Sequence, residues 1–178
     1  MRILDVGCGL EMVAQRAFPD AEVVRVDIRE EMEPDVVADC RDLPESLGTF
    51  DIVWARHLLE HLGRRDVVPT LKHWAKFLVD GGQLHVTVPD LQWAVEHLWL
   101  HPTEIHFHVL MHIYCGQDYG EPSFHKWGYT ALLLRSCLET AGYTVWGLVD
   151  QPYQIEVDDK RFDSRELYAV GVWHASSS

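Results

Sequence analysis

The sequence predicts one α/β domain with a seven-stranded, mostly parallel sheet. Two observations lead to this prediction. Short apolar runs rich in β-branched residues alternate with helix-capable segments through much of the chain, and strands that alternate with helices form right-handed parallel units. The final two apolar runs are joined by a polar stretch, so we expect a strand pair in which the last strand is antiparallel.

The predicted elements follow one another with short connections. Seven strands are predicted, over residues 3–6, 22–27, 36–38, 50–55, 83–88, 144–149 and 166–173. Helices are predicted over residues 11–18, 66–79, 91–98 and 129–141. Residues 29–34 are too few and too charged for a crossover helix, so we expect a loop or a single turn there.

Residue type and spacing justify these elements. The second strand is rich in β-branched valine, and the fourth is almost continuously apolar, as expected when both faces of a sheet are covered. Apolar residues recur at helical spacing in the segment 66–79, at Val67, Leu71, Trp74, Ala75 and Leu78. We expect Gly81 and Gly82 to stop that helix and the polar residues 150–165 to form a connecting loop.

Length and composition limit the class of protein. At 178 residues the chain suits a single domain, 1–178, that can bury a full core. Apolar residues make up 47% of it, which excludes a disordered protein, and no apolar run is long enough to cross a membrane. We expect no signal peptide, because the chain begins directly with a strand. Four cysteines without metal-type spacing suit reduced thiols, so we expect a cytoplasmic protein.

The net charge argues against one class of partner. A formal charge of −13 disfavours nucleic acid, because a phosphate backbone is normally bound by a basic surface. The simpler interpretation of the charge is an ordinary acidic protein surface. The sequence leaves open whether the chain forms a homodimer.

Residues 90–128 depart from the alternation of strands and helices. After a predicted helix, this insertion is rich in aromatic residues and histidines. If it is helical, His108 and His112 share a face at the i, i+4 spacing of metal ligands. His106 would not share that face, and no cysteine or carboxylate stands at a matching spacing. We therefore predict no metal site, and expect the insertion to form a packed aromatic lid.

The opening strand, its glycine turn and the following helix predict a nucleotide-cofactor site. A Cβ at Gly7 or Gly9 would keep the backbone away from a bound molecule. Asp27 lies 18 positions after Gly9, close to the roughly 20 at which a carboxylate meets ribose hydroxyls. The plainer alternative for Asp27 is a solvent-exposed acid at the end of a strand.

The order and spacing of these motifs resemble those of class I S-adenosylmethionine-dependent methyltransferases, from Arg2 to about Val149. Residues 4–9 are similar to that family's first motif, and residues 50–53 followed by 59–62 are similar to its fourth strand and the helix after it. Residues 125–129, with the helix and turn after them, resemble a subgroup often linked to glycan assembly. The resemblance implies a Rossmann-like fold that binds S-adenosylmethionine, here without the family's N-terminal helices.

The resemblance also implies the residues that bind the cofactor. Asp27 would meet the ribose, Asp39 and Cys40 the adenine edge, and Asp5 would brace the glycine loop. The full predicted set is Asp5, Gly7, Cys8, Gly9, Asp27, Ile28, Asp39, Cys40, Arg56 and His57.

Two positions depart from known glycine patterns. Glu11 replaces the family's third glycine, and Met12 stands where a dinucleotide pattern has its last glycine. Losing that glycine matters more for a pyrophosphate, which sits directly on the helix N-terminus, than for an adenosyl cofactor without phosphate. The sequence therefore favours S-adenosylmethionine over NAD.

Methyl transfer depends mainly on aligning the acceptor with the methyl group. A hydroxyl acceptor must also lose its proton, and histidine is the side chain best suited to accept it near neutral pH. Among the histidines we predict His125 and His61 as the catalytic residues, although a histidine at position 61 often only packs or caps a helix.

The predicted function is methyl transfer from S-adenosylmethionine to an oxygen or nitrogen of a small molecule or glycan. The first alternative is a degenerate, non-catalytic domain that binds the cofactor or a partner protein, which Glu11 and the missing N-terminal helices would favour. The second is an NAD-dependent oxidoreductase, against which the broken dinucleotide pattern and the lack of a Tyr-x-x-x-Lys pair argue.

Overall fold

A seven-stranded sheet forms the centre of the molecule. The structure is a computed structural model that describes residues 1–103, 106–115, 120, 123–157 and 160–175. The strands are β1 Arg2–Val6, β2 Glu22–Asp27, β3 Val36–Val37, β4 Phe50–Arg56, β5 Leu78–Pro89, β6 Thr144–Val157 and β7 Lys160–Val172. Their order across the sheet is β3-β2-β1-β4-β5-β7-β6. Strands β1 to β5 pair in parallel and β7 is antiparallel to both of its neighbours, which confirms the predicted fold class.

Helices and single turns connect the strands. The helices are α1 Val13–Ala17, α2 Val67–Ala75, α3 Leu91–Leu100, α4 Phe107–Tyr114 and α5 Ala131–Ala141. Single 3-10 turns stand at Glu30–Met32, Glu45–Leu47 and Leu59–His61. The first of these confirms the prediction that no full helix follows β2. Positions 104–105, 116–119 and 121–122 of the predicted insertion lie outside the described residues. None of the described helices combines the length and the apolar character that crossing a bilayer requires.

The prediction that Gly81 and Gly82 stop a helix was wrong. Helix α2 ends at Ala75, and both glycines lie inside strand β5. Gly81 adopts a left-handed φ of 75° and donates its N–H to the carbonyl of Trp173, while the carbonyl of Gly82 accepts the N–H of that tryptophan. The β4–β5 pairing shifts its register between Phe50 and Ile52. The glycines therefore form an irregularity within the strand, as isolated glycines in strands often do.

The prediction that residues 150–165 form a loop was also wrong. Strands β6 and β7 pair from Thr144 and Val172 to Val157 and Lys160. Pairing of β7 with β5 ends at Glu166, so the outer half of the hairpin is a two-stranded ribbon. Most of its side chains are polar, and some pair across the strands, as where Arg165 donates to Asp150 at 2.8 and 2.6 Å.

The main core packs α2 and α5 against one face of the sheet. Its largest fully buried side chains include Trp74 and Tyr129, whose polar tips bind backbone carbonyls. The Trp74 indole donates to the carbonyl of Cys40 at 2.8 Å, and the Tyr129 hydroxyl donates to that of Leu59 at 3.2 Å. Such bonds remove the cost of burying a polar group. A smaller cluster of Ile3, Ala14 and Ile52 under α1 covers the other face.

Candidate functional site

A cavity of about 410 Å³ opens at the carboxyl ends of β1, β2 and β4. Ligands of open α/β sheets bind at this edge, where neighbouring strands connect in opposite directions. The lining comes from Val6 and Gly7, residues 26–29, residues 38–41, residues 57–58 and residues 61–63, together with Asp66, Ser123 and Lys126. Six of the ten predicted cofactor residues, Gly7, Asp27, Ile28, Asp39, Cys40 and His57, lie in this lining.

Asp27 is fixed at the end of β2 by two backbone N–H groups. Its side chain is nearly buried, with 5% of the residue exposed. The N–H of Gly9 donates to Oδ2 at 3.1 Å, and that of Arg29 donates to Oδ1 at 3.0 Å. A carboxylate offers about four acceptor positions. Asp27 therefore keeps the capacity to accept hydrogen bonds from hydroxyl groups of a molecule in the cavity.

The β1–α1 turn depends on its glycines. Gly7 and Gly9 have left-handed φ values of 68° and 52°. The N–H groups of Gly7 and Cys8 both donate to the Val26 carbonyl, at 2.8 and 3.1 Å, which anchors the turn to β2. A Cβ at Gly7 would stand 2.8 Å from Leu58, whereas one at Gly9 would meet no atom within 4 Å. The backbone at Gly9 is therefore open to a close approach.

Asp39 and Cys40 form the wall beyond β3. Both carboxylate oxygens of Asp39 accept hydrogen bonds from Arg41, at 2.5 to 3.1 Å, and this pairing holds the pKa of Asp39 below its usual range. The carbonyl of Cys40 accepts the indole N–H of Trp74. Burial raises the pKa of the Cys40 thiol to about 12, so this sulfur is neutral near pH 7.

Asp5 lies in the strand below the turn, outside the cavity lining. It is 4% exposed, and burial raises its pKa to about 6, although the nearby Arg25 works in the other direction. The Arg25 guanidinium donates to the carbonyls of Gly9 at 2.6 Å, Met32 at 3.2 Å and Glu33 at 3.0 Å. Arg25 thus braces the glycine turn. Arg25 was not predicted as a site residue, although a lone arginine inside an apolar strand was the available signal.

His57 is held between two carboxylates at the end of β4. One ring nitrogen, Nε2, lies 2.8 Å from Glu166 of β7, and the other, Nδ1, lies 3.2 Å from Glu60. Burial opposes a charge on His57, but the hydrogen bonds to Glu166 and Glu60 outweigh it and raise the pKa of the imidazole. His57 has a left-handed φ of 50°, and its ring lies 4.9 Å from that of Tyr153.

Neither glutamate was predicted as a site residue. Glu60 is 1% exposed, and Glu166 is 6% exposed. The hydrogen bonds of His57 lower the pKa of both carboxyl groups, against the effect of burial. Glu166 stands 109 positions from His57, so only the pairing of β5 with β7 brings the two together. A charged residue at the start of an otherwise apolar strand was the available signal.

Arg56 and Glu11 pair outside the cavity lining. Arg56 Nη1 lies 3.0 Å from the exposed Glu11 carboxylate, and the guanidinium lies 5.3 Å from the centre of the Tyr153 ring. Neither residue lines the cavity. The carboxylate that replaces the expected glycine is therefore neutralised by Arg56, and it leaves the space of the cavity open.

A second cavity, of about 210 Å³, lies under the insertion. It is lined by Glu60, Pro89, Leu91, His112, Ile113, Tyr114, His125, Lys126, Trp127 and Gly128. Lys126 lines both cavities, while His61 lines the first and His125 the second. The rings of His61 and His125 lie 4.9 Å apart. The two predicted catalytic histidines therefore meet at the boundary between the cavities.

Both boundary histidines use Nδ1 to bind the backbone. His61 Nδ1 donates to the carbonyl of Phe124 at 3.2 Å, and His125 Nδ1 donates to that of His112 at 3.0 Å. A neutral imidazole that donates from Nδ1 carries its lone pair on Nε2. Burial lowers the pKa of His125, with Glu60 opposing that effect, so His125 is neutral near pH 7.

The predicted group of His106, His108 and His112 is divided by helix α4. His112 is buried, where its Nδ1 accepts from Ser164 at 2.8 Å and its Nε2 donates to the carbonyl of Asp90 at 3.2 Å. His108 instead stacks on Phe162, with ring centres 4.6 Å apart. Residues four apart in this helix therefore meet different neighbours, and His112 has no free ring nitrogen for a metal.

Comparison with known proteins points to one family. A family model described as a methyltransferase domain matches residues 1–148. A search of curated protein sequences finds no significant match.

Several solved structures share the fold. A S-adenosylmethionine-dependent methyltransferase from Methanosarcina mazei is 13% identical, with a TM-score of 0.71, over 98% of this chain and 93% of that one. Magnesium protoporphyrin IX methyltransferase from Synechocystis is 13% identical, with a TM-score of 0.62, over 96% and 73%. The N-methyltransferase NodS from Bradyrhizobium japonicum is 13% identical, with a TM-score of 0.60, over 96% and 76%. The last two contain bound S-adenosylhomocysteine.

Proposed function

The chain belongs to the methyltransferase domain family, and we propose that it transfers a methyl group from S-adenosylmethionine to an oxygen or nitrogen of a small molecule or sugar. The observation that carries this proposal is Asp27, a nearly buried carboxylate that faces a cavity of about 410 Å³ beside an open glycine turn. The structural relatives that contain S-adenosylhomocysteine support the same cofactor.

The residues of the first cavity fit an adenosyl cofactor. The Asp27 carboxylate has acceptor positions left for two ribose hydroxyls. The open space beside Gly9 accommodates a ligand against the backbone. Ala38 and Cys40, in the wall beyond β3, offer an apolar surface to a base. When bound, S-adenosylmethionine supplies an electrophilic methyl group on a sulfonium centre.

We assign the acceptor to the second cavity. Its volume of about 210 Å³ suits a small molecule or a single sugar ring. The N–H groups of Lys126 and Trp127 donate to the Glu60 carbonyl at 2.7 and 3.1 Å, which ties this part of the insertion to the end of β4. The boundary across which the acceptor would meet the first cavity is therefore held in place against the sheet.

His61 and His125 are the residues that we propose activate the acceptor. They stand at the boundary of the two cavities, and the Nε2 lone pair of each is turned away from its backbone partner. A hydroxyl acceptor must give up its proton as the methyl group arrives, and groups of this kind typically contribute about 10²- to 10⁴-fold to a rate. His57 supports them by holding Glu60 against the boundary.

Turnover with pooled acceptors tests this function. The protein is incubated with S-adenosylmethionine and pools of hydroxyl compounds, amines and sugars, and S-adenosylhomocysteine is measured. We expect turnover with at least one pool, and a loss of roughly 100-fold or more in His125→Ala. His174→Ala is the control, because His174 is exposed and lies 3.8 Å from Asp80, away from both cavities. Tight binding of S-adenosylhomocysteine without turnover in any pool would instead favour the non-catalytic alternative.

A further inference from the structure

We propose that Glu60, His61 and His125 form a binding site for one divalent transition-metal ion in the wall between the two cavities. The proposed site depends only on these three side chains. Only the role given to the ion rests on the proposed function, because that role concerns the acceptor.

The three side chains converge from separate parts of the chain. Glu60 and His61 belong to the 3-10 turn after β4, and His125 belongs to the insertion. A carboxylate oxygen and one ring nitrogen of each histidine all lie within 4.8 Å of one another. His125 Nε2 lies 3.9 Å from Glu60 Oε1. Among the described residues, this is the group whose spacing could hold an ion.

The hydrogen bonds of the histidines prepare them as ligands. Metal-binding histidines usually donate their other ring N–H to a carbonyl or carboxylate, which fixes the tautomer and the direction of the ring. His61 does this through the carbonyl of Phe124 and His125 through that of His112. In each ring the lone pair that a metal requires is therefore on Nε2.

Glu60 supplies the negative charge and an oxygen without a partner. Its Oε1 binds His57, but its Oε2 is buried and has no hydrogen-bond partner among the described residues. An ionised oxygen in this position is costly unless something pairs with it. An ion held by the two histidines would satisfy it.

The donor set selects the class of metal. Two imidazoles and one carboxylate suit Zn²⁺, Co²⁺ or Fe²⁺, and they suit Mg²⁺ and Ca²⁺ poorly, since those ions prefer oxygen ligands. Ligand atoms of one tetrahedral Zn²⁺ ion lie roughly 3.4 Å apart, because each stands about 2.1 Å from it. The three side chains would therefore close in by up to about 1.4 Å when an ion binds.

With an ion bound, the Nε2 lone pairs of both histidines are used as ligands, so His61 and His125 would activate the acceptor through the ion and not as bases. Three protein ligands leave a position open, as in catalytic zinc sites. Glu60 and His125 line the second cavity, so a hydroxyl oxygen of the acceptor can reach that position. A hydroxyl bound to such an ion would lose its proton to solvent far more easily. Its oxygen would then form a bond to the methyl carbon while the carbon–sulfur bond of S-adenosylmethionine breaks, and S-adenosylhomocysteine would leave.

Titration with Co²⁺ tests the site directly. The full-length protein is stripped with a chelator and titrated with Co²⁺ at pH 7.5, and the visible absorption band of the bound ion is followed. We expect one ion per chain, displaced by Zn²⁺ and not by Mg²⁺. His61→Ala and His125→Ala should each weaken binding by roughly 100-fold. His108→Ala is the matched control, since His108 lies in the histidine-rich insertion but outside the group, and it should bind as the unchanged protein does.

The outcomes separate this inference from the proposed function. Unfolding midpoints measured with chelator present show whether the variants fold, and His125→Gln replaces His125→Ala if the latter does not. Binding weaker than about 1 mM, or binding that His61→Ala and His125→Ala leave unchanged, would overturn the site. A parallel titration with S-adenosylhomocysteine and the turnover assay with pooled acceptors report on the proposed cofactor and function separately, since the first cavity's Asp27 takes no part in the metal group.

Discussion

The position of Asp27 was predicted from its spacing to Gly9, and the structure adds the contacts that hold its side chain. Its carboxylate is held by the N–H groups of Gly9 and Arg29, so its direction toward the cavity is fixed before any ligand arrives. Spacing alone predicted its position. It could not predict that both oxygens would be anchored, because that depends on how the turn folds back onto β2.

Replacing Asp27 by asparagine should weaken cofactor binding. The amide removes the charge and one acceptor oxygen, and hydrogen bonds to a charged group contribute about 1.5 to 3 kcal/mol. We therefore expect the Kd for S-adenosylhomocysteine to rise by about 10- to 100-fold in Asp27→Asn, measured by calorimetry. Asp20→Asn makes the same change at an exposed position and should leave the Kd unchanged. Equal affinities for Asp27→Asn and the unchanged protein would remove Asp27 from the site.

Asp5 gives a prediction of pH-dependent stability. Its pKa is raised to about 6 in the folded protein, so the folded state binds the proton more tightly than the unfolded state. The free energy of unfolding therefore falls as the pH rises from about 4 to 6 and Asp5 ionises. Above that range the loss stays constant. The Asp5→Asn variant cannot ionise at this position. The difference in unfolding free energy between Asp5→Asn and the unchanged protein should therefore shift by about 2 to 3 kcal/mol in favour of the variant when the pH is raised from 4 to 8. Urea unfolding of both proteins at the two pH values measures this shift. If the two proteins differ in stability by the same amount at both pH values, the pKa of Asp5 is not raised by burial.

The two carboxylates that bind His57, Glu60 and Glu166, could not be predicted from the sequence. Both contact a residue that was predicted as a site residue, yet neither was predicted as one, although Glu60 lies within residues 59–62. Glu166 reaches His57 only through an antiparallel pairing that joins distant parts of the chain. Contacts of this kind depend on register, which composition and spacing do not fix.

At the scale of elements, the β1–α1 turn combines two requirements in Gly7. The residue needs a left-handed backbone, and it needs room beside Leu58. Gly81 has a similar left-handed φ of 75°, but a Cβ there would meet no atom within 4 Å. Substitutions at Gly7 and Gly81 can therefore distinguish the effect of backbone strain from the effect of a close neighbour.

Gly7→Ala and Gly81→Ala should differ in their effect on the cofactor site. Each should lose about 1 to 2 kcal/mol of folding free energy, the cost of a left-handed conformation for a residue with a Cβ. Only Gly7→Ala should also weaken binding of S-adenosylhomocysteine, because displaced Leu58 lies in the cavity lining. Denaturant unfolding and calorimetry on both variants measure these effects. Equal binding by the two would show that the turn tolerates a side chain.

The elements that were mispredicted share one physical cause. Gly81 and Gly82 carry a typical helix-stop signal, but hydrogen bonds to Trp173 keep them within a strand. The ribbon of residues 150–165 is mostly polar and extends past β5, yet it is paired strand for its whole described length, and Ser164 and Phe162 meet helix α4. In each case pairing between strands decided the structure, and local propensity did not.

At the scale of the whole molecule, the order of strands and turns was predictable and the second cavity was not. The first cavity follows from the topology, since the carboxyl ends of β1, β2 and β4 meet wherever such a sheet forms. The second depends on how the insertion packs over Glu60, which no periodicity in its sequence indicates. The fold could therefore be predicted from the sequence, whereas the cavity that we propose for the acceptor could be found only from the structure.

The most direct test of the account is calorimetric titration of the unchanged protein with S-adenosylhomocysteine and, separately, with NAD. We expect one S-adenosylhomocysteine to bind per chain, and no heat of binding with NAD, since the glycine that a pyrophosphate needs is replaced by Met12. Binding of NAD, or the absence of any binding of S-adenosylhomocysteine, would contradict the claim that the cavity at Asp27 is an adenosyl site.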